Sequence, residues 1–173
     1  LLIVLSFLAL AVTGMIIKFA DVEVFQILAS ILGGYQVTGF IHRVGALVTF
    51  LYFGMHISFL FKKRKEKSAK YLFAGENSMM FNKRDIKEFF ETIKWFIGKG
   101  PRPNYGRWTY WEKFDYFAVF WGVAVIGLSG LILWFPEFFT YIGFPGWLIN
   151  VATIIHSDEA LLAVGFIFTV HFF

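Results

Sequence analysis

Residues 35–61 read YQVTGFIHRVGALVTFLYFGMHISFLF, an apolar run long enough to cross a membrane, with His42, Arg43 and His56 set inside it. Residues 147–173, WLINVATIIHSDEALLAVGFIFTVHFF, repeat the pattern with His156 and His171, and these four are all the histidines of the chain. The spacings within the pairs are 14 and 15 residues. At roughly 100° and 1.5 Å per helical residue, the members of each pair share one helix face and lie about 21–22 Å apart along it. A bilayer core is about 30 Å thick, so each helix offers one imidazole near either side. Two such helices facing each other can grip two stacked haems by bis-histidine ligation.

Working outward, the composition sets the class. The chain is 58% hydrophobic and 21% aromatic with only 16% charged residues, against a soluble norm of about 45–50% apolar and about 25% charged. The expectation is an all-α integral membrane protein with one domain, a four-transmembrane-helix bundle. Its spans are residues 1–19, 35–61, 114–135 and 147–173, the third stopped by Pro136. Residues 22–32 are apolar but too short to span, and Gly33 and Gly34 break them. There is no cysteine, so disulfides, thiolate iron–sulfur clusters and covalently attached haem have no ligand here. The start at Leu1 rather than Met, and a last span that runs to Phe173 without a polar tail, suggest that polypeptide is missing at both ends. No signal-peptide cleavage site is evident after the first run.

Of the 16 Lys and Arg residues, all but Lys18 and Arg43 lie between Lys62 and Lys113. Positive loops stay cytoplasmic, which places this loop inside and the other two outside. Within it, Asn82-Lys83-Arg84-Asp85 has the form of a helix cap and first turn. Ile86, Phe89, Phe90, Ile93, Phe96 and Ile97 follow at helical spacing, with Lys87, Glu88, Glu91 and Lys94 between them. Residues 83–97 therefore predict a cytoplasmic amphipathic helix between the second and third spans, lying on the membrane or against a partner subunit.

With four alternating spans, the second and fourth run parallel. His42 and His156 then share the outer depth, and His56 and His171 the inner depth. Gly45, Ala46 and Thr49 lie between the histidines of the second span, and Ala160 and Ala163 between those of the fourth. Small side chains leave room for a flat macrocycle, and equally for close helix packing, as do Gly122, Gly127, Ser129 and Gly130 in the third span. A zinc site needs ligands gathered on one centre, and a proton relay needs carboxylates that the span cores lack. Ionisable groups inside a bilayer are costly and functional by default. Arg43, directly after His42, calls for an anion, either a haem propionate or a lipid headgroup. At the inner start of the third span, Trp108, Tyr110, Glu112, Lys113 and Asp115 combine aromatic surface, donors and proton acceptors. That set suits a quinone headgroup, and it suits an interfacial aromatic belt as well.

The stretch from Gly106-Arg107-Trp108-Thr109-Tyr110-Trp111 through Lys113-Phe114-Asp115-Tyr116-Phe117 leads to Trp121-Gly122 and to Leu128-Ser129-Gly130-Leu131. Together with His42-Arg43-Val44-Gly45-Ala46, Ile155-His156-Ser157-Asp158-Glu159-Ala160 and Leu5–Gly14, it resembles the b-type cytochrome subunit of the formate dehydrogenase gamma and bacterial cytochrome b561-like superfamily. The resemblance implies a di-haem, quinone-reactive subunit of a respiratory complex in the bacterial inner membrane. Such a subunit passes electrons between menaquinone or ubiquinone and a partner: an iron–sulfur protein, a multihaem cytochrome c or a dehydrogenase. Nucleic acid is not a partner. By position His42, His156 and His171 match the family's haem ligands. In members of the formate dehydrogenase type the inner haem takes a histidine from the start of the first helix, which here would precede Leu1. Within the chain, His56 is the partner available to His171. A haem-free membrane anchor of a redox complex, and a small-solute or proton transporter, are the competing classes.

Overall fold

The computed structural model describes residues 1–67, 73 and 77–171, with Lys67, Val170 and His171 described by their backbone. Among the described residues all regular structure is helical: α1 (Leu2–Lys18), α2 (Glu23–Ile31), α3 (Tyr35–Lys67), α4 (Lys83–Phe96), α5 (Tyr110–Trp134), α6 (Pro136–Tyr141) and α7 (Trp147–His171). Three helices are long and apolar enough to cross a membrane, over Tyr35–Glu66, Tyr110–Trp134 and Trp147–Thr169. The chain is a multi-pass membrane protein. The expected first span, α1, has 17 residues, about 25 Å of helix against a hydrocarbon core of about 30 Å.

Residues 1–54 and 121–173 form one compact unit. Among the described residues its buried positions are small or hydroxyl-bearing, such as Ser6, Ala11, Thr13, Thr38, Ser129 and Ala152, with Ile16 the one large side chain fully enclosed. Leu8, Leu47, Leu51, Leu128, Ile154 and Leu162 point outward instead. That inversion is what lipid as solvent produces, since burying Leu against Leu gains little where the surroundings are equally apolar, and small residues let backbones approach. Gly127 shows the approach directly: a Cβ there would stand 2.8 Å from the Phe50 ring. α1 joins α7 through the Lys18–Asp158 ion pair at 2.8 Å and the Phe7–Phe168 rings at 6.5 Å. α2 ends where expected, at Gly33 and Gly34, both left-handed (φ 96° and 93°). The 136–146 loop contains the short helix α6, begun by Pro136 in its first turn, a position that suits a residue without an amide hydrogen.

Residues 55–120 form the second unit. α3 continues past the expected end at Phe61 to Lys67, because Glu66 pairs with Lys63 at 3.0 Å and Lys62 at 3.9 Å along the helix surface. α4 carries the predicted cap: the Asn82 side chain accepts from the amides of Arg84 and Asp85, and Asp85 accepts from Asn82 N at 2.6 Å. Its apolar residues Ile86, Phe90 and Phe96 are exposed, while Asp85, Glu88 and Thr92 are buried. Glu88, grouped with the solvated side in the sequence pattern, instead holds Arg84 Nε at 2.8 Å and the Gly106 amide at 3.2 Å. α5 begins at Tyr110, four residues before the expected Phe114, because Thr109 and Glu112 close a reciprocal cap.

Candidate functional site

His42 on α3 and His156 on α7 meet within the first unit, their ring centres 6.1 Å apart and their planes at 74°. Two imidazoles ligating opposite sides of one metal ion, with nitrogen–metal bonds of about 2 Å, have ring centres about 6 Å apart. The observed separation leaves room for a metal ion between the rings, and it is also that of an edge-to-face ring contact. These are two of the four histidines expected to pair across the second and fourth spans.

The hydrogen bonds settle which nitrogen of each ring is free. His156 Nδ1 lies 2.9 Å from the Ile126 carbonyl. A carbonyl only accepts, so Nδ1 carries the hydrogen, and in the neutral ring Nε2 is the acceptor. Ser129 Oγ, which donates to the Val125 carbonyl at 2.7 Å, stands 3.4 Å from the same Nδ1. His42 Nδ1 lies 2.9 Å from Thr13 Oγ1, and that hydroxyl is 2.5 Å from the Ala9 carbonyl. The single hydroxyl hydrogen goes to the carbonyl, so Thr13 accepts from His42 Nδ1–H. Both rings are thus anchored through Nδ1, and among the described residues neither Nε2 has a hydrogen-bond partner, the arrangement by which metal-binding histidines are held.

Each ring also rests on a glycine of a neighbouring helix. A Cβ at Gly130 would stand 2.9 Å from His156 Cε1, and one at Gly14 would stand 3.4 Å from His42 Cε1. The seat is the same twice: Thr13-Gly14 on α1 beneath His42, and Ser129-Gly130 on α5 beneath His156. The chain matches no protein-family model, no curated protein and no solved structure.

Arg43 is exposed, with its guanidinium 5.8 Å from the centre of the Trp134 ring. Lys18 was not singled out in the sequence, yet it donates to Ser157 at 2.9 Å and Asp158 at 2.8 Å, the two residues after His156. The signal was present as two opposite charges at the ends of apolar runs. Thr13 and Gly14 left no comparable signal, since hydroxyl and glycine pairs are common in membrane helices.

His56 has a different environment. Its Nε2 is 2.9 Å from the Tyr116 hydroxyl, and Phe59 and Phe120 flank the ring at 6.4 and 6.0 Å. The side chain of His171 lies outside the described residues, and so does the expected His56–His171 pairing. The set expected to receive a quinone is engaged structurally at two positions. Lys113 is buried against Asp85 at 2.7 and 2.9 Å, and Glu112 caps α5 through Thr109. Tyr110 is buried among Phe89, Tyr105 and Trp111. Trp108 takes the Arg107 guanidinium at 5.6 Å, and Asp115 lies one turn inside the helix, partly buried. Among the described residues no three His, Asp or Glu side chains gather as a metal cluster.

Proposed function

We propose that this chain is a di-haem cytochrome b subunit of a respiratory complex in the bacterial inner membrane. It transfers electrons between membrane quinone or quinol and a partner redox subunit. The observation that carries the reading is the His42–His156 pair, with ring centres at 6.1 Å and both Nδ1 atoms held. His42 and His156 hold the outer haem; Gly14 and Gly130 keep the space beside the rings clear, and Thr13 and the Ile126 carbonyl fix their orientation. Haem supplies one-electron redox chemistry when bound. Arg43, on the same helix turn as His42, meets a propionate or a lipid phosphate. The inner haem takes His171. Its second ligand is His56 or a histidine from outside residues 1–173, and the Tyr116 hydrogen bond on His56 Nε2 favours the latter. α1 completes a four-helix bundle, tied to α7 by the Lys18–Asp158 ion pair. The Lys62–Lys113 segment faces the cytoplasm.

The test is a reduced-minus-oxidised visible spectrum of the purified protein with a haem assay. Sharp b-type bands at two haems per chain are expected, and His42→Ala and His156→Ala should each leave one. A flat wild-type spectrum refutes the reading and leaves a haem-free anchor or a transporter.

A further inference from the structure

His56 and Tyr116 are two polar side chains within apolar helices, six residues from Lys62 and from Tyr110 respectively. His56 therefore stands about 9 Å along the helix from the first charge of the basic run. Both are half-buried by the protein, so part of each is open to whatever surrounds the helices. Tyr116 directly follows Asp115 and stands three residues after Lys113, so the pair lies where the apolar runs meet the charged residues at their ends.

The 2.9 Å bond between His56 Nε2 and the Tyr116 hydroxyl uses half of what the pair offers. If Tyr116 donates, His56 Nδ1 carries a hydrogen, and the tyrosine oxygen keeps a lone pair. If His56 Nε2 donates, the tyrosine hydrogen is free and Nδ1 keeps its lone pair. In either arrangement one donor and one acceptor remain, and no further hydrogen bond to either side chain occurs among the described residues. The matching ligand arrives through lipid, is flat and apolar, and presents oxygens that accept in one form and donate in another. A quinone carbonyl accepts, and a quinol hydroxyl donates. The rings beside the pair suit a flat headgroup: Phe120 lies 5.1 Å from Tyr116 and 6.0 Å from His56, and Phe59 stacks on His56 at 6.4 Å.

We propose that the His56–Tyr116 pair is the hydrogen-bonding seat of a quinone or quinol headgroup. This rests on the quinone-reactive reading above for its ligand class. It moves the contact away from Glu112 and Lys113, whose polar groups already have partners in the protein. It also assigns His56 to the quinone and not to iron.

The experiment uses the full chain in detergent and two independent readouts. Equilibrium binding of a short-chain ubiquinone is followed by quenching of tryptophan fluorescence, and haem content is measured on the same samples. Tyr116→Phe and His56→Gln are each expected to weaken quinone binding several-fold to about tenfold, as the loss of one hydrogen bond predicts. Haem content should stay at the wild-type value in both. Tyr116→Phe is isosteric and keeps the fold, and Tyr141→Phe, on an 89% exposed side chain, should bind as wild type. Loss of the inner haem in His56→Gln overturns the proposal, because His56 is then its ligand. Wild-type affinity in Tyr116→Phe overturns it too, as does a wild type that does not bind quinone. A wild type without haem strikes the cytochrome reading alone, since the binding arm still reports on the pair.

Discussion

Thr13 accepts a hydrogen bond from His42 Nδ1 at 2.9 Å while its own hydroxyl is committed to the Ala9 carbonyl at 2.5 Å. One hydroxyl on α1, with the Leu10 backbone beside it, thereby holds a histidine on α3. The partner ring on α7 is fixed by a backbone carbonyl, which no side-chain substitution removes.

Thr13→Val should therefore disturb one side of the pair only. Valine keeps the shape and cannot accept from Nδ1–H. Outer-partner losses at metal-binding histidines cost about 10- to 100-fold in affinity. The outer haem should transfer to an excess of apomyoglobin at least about tenfold faster in Thr13→Val than in wild type, with the inner haem unchanged. Thr13→Ser should restore the wild-type rate. Equal rates in all three proteins would show that the contact does not orient the ligand.

The two glycine seats differ in tightness, and that difference is measurable. A Cβ at Gly130 would meet His156 Cε1 at 2.9 Å, so the ring must shift from its place; at Gly14 the distance is an ordinary 3.4 Å. Overpacking of this kind costs about 1–3 kcal/mol. Gly130→Ala should retain the outer haem about tenfold less tightly or worse, while Gly14→Ala stays within a few-fold of wild type. Haem titration of the two purified variants separates them.

The depth match of His42 with His156 was legible because helix rise and alternating direction are arithmetic on sequence position. The observed pairing at 6.1 Å agrees with it. The ends of α5 and α3 were less legible. Thr109 and Glu112 form a cap whose residues also read as an interfacial polar set, and Glu66 extends α3 through charges that hydropathy treats as an ending. Glu88 was misplaced for a related reason. Periodicity separates apolar from polar faces, but it does not say which face the protein covers, and on α4 it covers the polar one. His56 was legible as a polar residue inside an apolar run, while its Tyr116 hydrogen-bond partner, 60 positions later, was not.

Asp85 and Lys113 make a buried ion pair, with 4% and 6% of their side chains exposed. Removing one member leaves the other charge buried, which typically costs about 3–5 kcal/mol. Lys113→Met should accordingly loosen α4 from the start of α5, with faster limited proteolysis between residues 83 and 110. Adding Asp85→Asn removes the stranded charge and keeps an oxygen for the Asn82 amide. The double variant should regain a good part of the lost resistance, and a double variant as fragile as the single would show that the pair is not what joins the two segments.

The orientation rests on the asymmetry of basic residues, and the lack of cysteine makes it simple to probe. Any introduced cysteine is the sole thiol. Lys87 on α4, 75% exposed, reports on the basic segment, and Tyr141 on α6, 89% exposed, reports on the opposite loop. Positive segments near span ends resist translocation, so the Lys62–Lys113 segment is expected on the cytoplasmic side. In intact spheroplasts a membrane-impermeant maleimide should label Tyr141→Cys and spare Lys87→Cys. After lysis both should label, which confirms that the Lys87 position is reachable. Labelling of Lys87→Cys before lysis would invert the topology and exchange the outer and inner assignments of the two histidine pairs. The His42–His156 geometry itself would stand.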